Sequence, residues 1–140
     1  MPGEVPIEGL REALLNMGMA EKDIRNLSRQ ATHAVSRMAT KRAKRNAPRA
    51  TGRLIKAMKP KRRRAWPDLF RSDTYVYRGE SRGDAKGAYY WHFVEKGTKH
   101  QPAQQYIEKA YRETEPETIG IFRREVMARA IKKMASRSKR

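Results

Sequence analysis

Residues 20–46, AEKDIRNLSRQATHAVSRMATKRAKRN, have the apolar spacing of one long α-helix. Apolar side chains recur at intervals of three and four residues for about seven turns, which places them on one face of a helix. Pro48 disfavours helical geometry at Ala47, so the helix is predicted to end at Asn46. The residues of the apolar face are Ile24, Leu27, Ala31, Ala34, Val35, Met38 and Ala39.

A last helix is predicted after residue 113. Thr114 has the side chain of a helix N-cap, Pro116 suits the first turn, and Glu117 stands three residues after the cap. Residues 136–140, SRSKR, are predicted to form a basic, flexible tail beyond this helix. The apolar stripe of the helix consists of Ile119, Phe122, Val126, Met127, Ala130, Ile131 and Met134.

Strand patterns lie between these two helices. Residues 74–78, TYVYR, and 88–95, AYYWHFVE, are rich in β-branched and aromatic residues, and the glycine-containing loop 79–87 joins them. The two segments are predicted to pair as an antiparallel hairpin. Residues 57–66 are mostly cationic and show only a weak strand pattern. Residues 102–112 are predicted to pass from an extended segment into a short helix.

This order of elements predicts an α+β fold, in which a long N-terminal helix and a C-terminal helix pack on a small antiparallel β-sheet. A length of 140 residues fits one domain. We assign residues 19–135 to this domain. Residues 1–18, with apolar residues on one helical face up to Gly18, are predicted to be an N-terminal helical arm.

The composition is strongly basic, with 33 Lys and Arg against 15 Asp and Glu and a formal net charge of +18. Such a charge implies a negatively charged partner, most often nucleic acid or an acidic protein surface. The absence of cysteine excludes disulfides and thiolate metal sites, and three histidines leave few zinc ligands, so we expect no cofactor. Without a signal peptide pattern or an apolar run of about 20 residues, we expect a soluble protein with no membrane partner.

Cations are concentrated in one part of the sequence. Between Asp23 and Asp68 there are fifteen basic residues and no acidic one. The segment is either a solvated basic face or a surface that contacts phosphates or an acidic partner, and any nucleic acid would be bound without sequence preference. The candidate contacts are Arg42, Arg45, Arg49, Arg53, Lys61, Arg62, Arg63 and Arg64.

Only His92, Glu95 and His100 form a group of residues that resembles a catalytic site. Side chains alternate along a strand, so His92 and Glu95 are expected on opposite faces and cannot act together. His100 follows Gly97 in a predicted loop. We therefore expect no catalysis and no metal binding by these residues.

The same alternation makes the predicted strand bulky and largely apolar on both faces. One face can pack on the helices, and the other requires a cover. The cover is either a helix of the same chain or a second subunit. The two faces consist of Tyr89, Trp91, Phe93 and Glu95, and of Tyr90, His92 and Val94.

Two segments, APRATGRL (47–54) and YYWHFVEKGTKHQPAQQYIEKA (89–110), resemble a known pattern. They are similar to the tail-completion and head-tail joining proteins of tailed bacteriophages, of the minor tail protein Z kind. The resemblance covers about residues 20–135. The family often has other residues where Arg49, Ala50 and Gln105 stand. The matching residues are Ala47, Pro48, Thr51, Gly52 and Leu54, then Phe93, Val94, Glu95, Gly97 and Thr98, then Pro102, Ala103, Tyr106 and Ile107.

The resemblance implies a structural virion protein without enzymatic activity, located in the neck at the head-tail junction and in the host cytoplasm during assembly. It implies a homo-oligomeric ring of six or twelve copies around the DNA channel, next to other neck, tail-terminator or portal-adaptor rings. The predicted subunit interface consists of Tyr89, Trp91, Phe93, Glu95, Gly97, Thr98, Pro102 and Tyr106.

One alternative from another class remains open. A chain with this charge could act as a nonspecific nucleic-acid-binding protein, as a monomer or a dimer. An enzyme such as a nuclease is disfavoured, because the acidic residues that would bind metal ions are few and scattered.

Overall fold

A computed structural model describes residues 7–48, 52–63, 71–81, 83–84 and 86–139. Mostly helical, it has one two-stranded antiparallel sheet, which confirms the predicted α+β class. The helices are α1 (Ile7–Asn16), α2 (Glu21–Asn46), α3 (Arg53–Ala57), α4 (Trp91–Lys96), α5 (Tyr106–Thr114) and α6 (Thr118–Ser138). The strands are β1 (Met58–Arg63) and β2 (Arg71–Val76), and a 3₁₀ turn, Glu115–Glu117, precedes α6.

Helix α2 is the central element and confirms the predicted long helix. It ends at Asn46 because Ala47 adopts extended geometry, with φ −70° and ψ 148°, before Pro48. Its first half faces a core cluster with α1 and α6. That cluster consists of Leu14, Met19, Ile24, Leu27, Ala31, Phe122, Val126 and Ala130.

The second half of α2 faces a different core, on the side of α3, the strands and α5. Ala43 of α2 lies in this cluster together with Ala47, which follows the helix. The same helix thus buries two faces, one in each half. The other buried members of the second cluster are Leu54, Ala57, Met58, Val76, Ala88, Tyr106 and Ala110.

The two ends of the described chain differ from the predicted arm and tail. Leu14 of α1 is fully buried against α2 and α6, so this part of the predicted arm packs on the domain. Helix α6 continues through Ser138, beyond the predicted boundary at residue 135. Arg137 forms an ion pair with Asp23 of α2 at 2.8 Å, which fixes the last turns of α6 to the domain.

The predicted start and stripe of the last helix require two corrections. Thr114 belongs to α5, and its hydroxyl donates to the carbonyl oxygen of Ala110 at 2.8 Å instead of capping a new helix. Pro116 lies in the 3₁₀ turn that leads into α6. Ile131 is 59% exposed, so the buried face of α6 does not include it.

The sheet has a different partner from the one predicted. β2 pairs with β1, from Met58 opposite Val76 to Arg63 opposite Arg71. The predicted hairpin between residues 74–78 and 88–95 is therefore wrong. β1 was a weak prediction because its sequence, MKPKRR, has few apolar residues to alternate with its cations.

Residues 91–96 form a helix and not a strand. The N–H of Val94 donates to the carbonyl oxygen of Tyr90, and the N–H of Gly97 to that of Phe93, which is the i to i−4 pattern of an α-helix. Aromatic residues favour strands only through their packing on a sheet, and here Tyr90 and Trp91 pack against the core cluster that contains Tyr106 and Ala110 of α5.

Candidate functional site

The carboxylate of Glu95 joins the end of α4 to the start of α5. Its two oxygens accept hydrogen bonds from the backbone N–H groups of Ile107, at 2.9 Å, and Glu108, at 3.0 Å. The first N–H groups of a helix have no partner within it, and a negative charge there interacts favourably with the helix dipole. Glu95, only 9% exposed, therefore holds the start of α5 against α4.

The chain reverses between α4 and α5 through a tight loop. Gly97 has a φ of 79°, and a Cβ at this position would lie 2.7 Å from the backbone nitrogen of Ala103. The Thr98 hydroxyl oxygen accepts hydrogen bonds from the backbone N–H groups of His100 and Gln101. The Gly-Thr pair of the motif thus shapes the loop that returns the chain to α5.

Tyr106 occupies the centre of the same junction. Its side chain is 0% exposed, and its hydroxyl donates to the carbonyl oxygen of Trp91 at 3.1 Å. Burial, and next the negative charge of Glu95, raises the pKa of Tyr106 far above its usual range. The hydroxyl therefore stays protonated and ties α5 to α4.

The other segment of the resemblance contributes Ala47 and Leu54 to the core that contains Tyr106. Gly52 has a φ of 68° and directly precedes α3, while Pro48 is half-buried after α2. The predicted capping residue Thr51 lies outside the described residues. The motif residues that lie in the second core cluster or pack against it are Ala47, Leu54, Val94, Tyr106 and Ile107. The two segments, separated along the chain by residues 55–88, meet in one core.

The residues predicted at a subunit interface divide into exposed and buried positions. Tyr89 and Phe93 are 39% and 45% exposed. Trp91 is half-buried, with the Arg78 guanidinium 6.0 Å from its ring centroid. Gly97 is half-buried, and both Thr98 and Pro102 are exposed. These side chains leave part of their surface available to a partner.

Glu95 and Tyr106 require a correction. Both were predicted to contact a second subunit, but their side chains are buried between α4 and α5 and make hydrogen bonds within the chain. Their role in the structure is to fix these two helices. A resemblance in sequence did not distinguish residues that build the fold from residues that face a partner.

The strand-based argument against catalysis by His92 and Glu95 is also wrong, because both residues lie on α4. The Glu95 carboxylate already accepts two backbone N–H groups, so it is not positioned as a general base. The His92 ring lies 4.1 Å from the Phe93 ring, centroid to centroid. His100 is exposed in the loop after Gly97.

Three of the predicted phosphate contacts are occupied by other parts of the chain. Arg42 donates to the Thr114 hydroxyl at 3.1 Å and forms an ion pair with Glu117. Arg45 forms an ion pair with Glu113 at 3.2 Å. Arg53 donates to backbone carbonyl oxygens of the loop that follows β2. These arginines connect α2 and α3 to neighbouring parts of the chain. The sequence did not predict these contacts.

The remaining predicted contacts are less engaged. Lys61 and Arg62 are exposed on β1. Arg49, Arg64 and the side chain of Arg63 lie outside the described residues. Beside the paired arginines, an open groove of about 590 Å³ is lined by Met38, Lys41, Arg42, Lys44, Arg45 and Ile55.

Two features are absent from the described part of the chain. Within it, no group of three or more His, Asp or Glu side chains lies close enough to hold a metal ion. None of its helices is both long and apolar enough to cross a membrane. Comparisons with protein-family models, with curated proteins and with solved structures found no match to this chain.

Proposed function

We propose that this chain is a structural subunit of a ring in the neck of a tailed bacteriophage, where it completes the tail and joins it to the head around the DNA channel. The observation that supports this most is that Ala47 and Leu54 of the first segment lie in one core with Tyr106 and Ala110 of the second. Residues from both segments of the resemblance build the same junction: Leu54 and Tyr106 fill it, and Glu95 fixes it. The resemblance therefore extends to a connected part of the fold.

A ring subunit needs two complementary side surfaces on a rigid body. The junction between α4 and α5 supplies the rigidity, because hydrogen bonds from Glu95 and Tyr106 fix the two helices. The exposed rings of Tyr89 and Phe93 lie beside it. Aromatic residues are enriched in protein interfaces, where they bury large areas at low entropic cost. We assign this aromatic surface, defined by Tyr89 and Phe93, to the contact between subunits.

The charge favours a second candidate function, a nonspecific nucleic-acid-binding protein that acts as a monomer or dimer. A formal net charge of +18 and the exposed cations of β1 support it. The two candidates differ in location. The first requires several copies of the chain in each finished particle, whereas the second requires none.

Mass spectrometry of purified particles from the infected or lysogenic culture that encodes the chain tests the proposal. We expect the chain in intact particles at a copy number of a ring, and cryo-electron microscopy should place it at the head-tail junction. If the chain is present in the culture but absent from particles, the proposal fails. In the same culture, Phe93→Asp should abolish incorporation of the chain.

Ile131→Asp is the matched control, because Ile131 is an exposed apolar residue on α6, away from the aromatic surface. Particles should still incorporate this variant. If both variants are absent from particles, or if both are incorporated, the assignment of the interface to Tyr89 and Phe93 is contradicted. Circular dichroism of both purified variants would establish that each is folded.

A further inference from the structure

The two-stranded ribbon of β1 and β2 has two different faces. Side chains alternate along a strand, so every second residue points the same way. Thr74 contacts the Thr40 hydroxyl of α2 at 2.8 Å, and Ser72 contacts His33 of α2 at 3.0 Å. These positions define the inner face of the ribbon, and the residues between them define its outer face.

The outer face of the ribbon is charged and solvated. Lys59 and Lys61 are exposed on β1, and the Lys61 ammonium lies 4.6 Å from the ring centroid of Tyr75, the residue of β2 that pairs with Lys59. Arg71, also exposed, forms an ion pair with Asp73 at 3.1 Å, which balances the acidic side chain of this face. The two lysines therefore leave the outer face with a net positive charge.

We infer that this outer face binds the phosphate backbone of double-stranded DNA without reading its sequence. Alternate residues of a strand are about 6.6 Å apart, so Lys59 and Lys61 form a row of two point charges. One strand of DNA carries one phosphate per about 3.4 Å of helix axis, so the distance between the two lysines corresponds to about two phosphate steps along the axis. Lysine contacts a phosphate as a compact charge with free rotation, which suits contact without specificity.

An acidic protein is a less suitable partner for this face. Protein interfaces bury an apolar core within a polar rim. The outer face offers one aromatic ring, Tyr75, and the Lys61 ammonium already lies against it. It therefore has charge to offer a partner but no apolar anchor. Lys59 and Tyr75 were not among the predicted contacts, although the alternation of K-P-K in 59–61 could have indicated that Lys59 lies beside Lys61.

The surface belongs to the single chain and does not depend on ring formation. The inference thus gives the second candidate function its binding surface, but it stands apart from the proposed neck function, and the two can fail separately. If DNA binding fails while the chain is present in particles, the ring proposal remains. If the chain is absent from particles but binds DNA through the ribbon, only the ring proposal fails.

The test is fluorescence anisotropy of the full-length chain with two labelled duplexes of about 20 base pairs and unrelated sequence, at salt concentrations from about 50 to about 200 mM. Each phosphate contact contributes about 0.9 to the slope of log K against log salt. The double variant K59Q/K61Q should therefore reduce the slope by about 1.8. When the salt concentration rises from about 50 to about 200 mM, the affinity of the wild type should therefore fall by a factor about 12 times larger than the affinity of the variant.

The matched control is the double variant R124Q/K132Q, which removes the same charge from two exposed positions of α6. It should keep the wild-type slope. Equal losses in both variants would show that only net charge matters, and would overturn the inference. So would a wild-type chain that does not bind duplex DNA at the lowest salt concentration, or one that prefers one duplex sequence strongly. The inference would likewise be overturned if poly-glutamate displaced the labelled duplex as effectively as unlabelled duplex does.

Discussion

The carboxylate of Glu95 accepts a hydrogen bond from the backbone N–H of Ile107 at 2.9 Å. This contact spans a loop of exposed residues and connects the end of one helix to the start of the next. A second bond, from the N–H of Glu108, completes the cap. The acidic residue of the F-V-E-K-G-T segment therefore acts on the helix that begins at the end of the P-A-Q-Q-Y segment, which makes the two segments one structural unit.

Replacing Glu95 by alanine should destabilise the protein by about 2 kcal/mol, because the N–H groups of Ile107 and Glu108 lose their charged acceptor. Glu95→Gln keeps one acceptor oxygen and should lose about half as much. Urea denaturation followed by circular dichroism measures both values. Glu12→Ala removes the same charge from an exposed position of α1 and should change stability by less than about 0.5 kcal/mol. A similar loss for Glu12→Ala and Glu95→Ala would contradict the cap.

Alanine should have opposite effects at two glycines. Gly97→Ala places a Cβ 2.7 Å from the backbone nitrogen of Ala103 at a φ of 79°, and should destabilise the protein by more than about 1 kcal/mol. Gly120 lies in α6, where an added Cβ would meet nothing within 4 Å, so Gly120→Ala should stabilise the protein by up to about 1 kcal/mol. Thermal unfolding of both variants measures the difference. Equal shifts of Tm would contradict the crowding at Gly97.

The long helix could be predicted from the sequence because its signals are local. The apolar period of α2 and the stop at Pro48 act within a few residues of each other. Helix α4 could not be predicted in this way. Its aromatic residues favour a strand by propensity, and the helix is held by contacts with α5, such as those of Glu95, which only the folded chain supplies.

The basic segment shows the same limit. The sequence correctly indicated that its cations find no acidic partner nearby along the chain. Arg42 and Arg45 nevertheless pair with Glu117 and Glu113, which lie far away in sequence and come close only when α5 packs on α2. A count of charges could therefore not distinguish the cations that form ion pairs within the fold from Lys59 and Lys61, whose side chains face solvent.

The stability of the protein should depend on pH through His33. Burial, and next the positive charges of Arg62 and Arg37, lowers the pKa of His33 below its ordinary value of 6.5. The folded state thus binds the proton less readily than the unfolded state. The stabilising contribution of neutral His33 is present above about pH 6.5 and is lost as the pH falls from there toward the lowered pKa.

We expect the wild type to lose more stability than His33→Gln when the pH falls from about 7.5 to about 5.5, a range that brackets the ordinary pKa of histidine. Urea denaturation at several pH values measures the difference between the two proteins, in which the contributions of their shared titrating groups cancel. The side chain of His33 also contacts Ser72 at 3.0 Å, so the variant is expected to be somewhat less stable at neutral pH. Parallel pH curves for the two proteins would contradict the lowered pKa.

A chain of hydroxyl groups should contribute to the packing of the sheet on α2 and α5. The Tyr111 hydroxyl lies 3.1 Å from that of Thr74, which lies 2.8 Å from that of Thr40. Tyr111→Phe should cost about 1 kcal/mol. In a double-mutant cycle with Thr74→Val the two losses should couple, because both variants break the same hydrogen bond.

Tyr75→Phe is the control: it removes a hydroxyl from the outer face of β2 and should cost less than about 0.5 kcal/mol. Strictly additive losses for Tyr111 and Thr74 would show that the two hydroxyls do not interact.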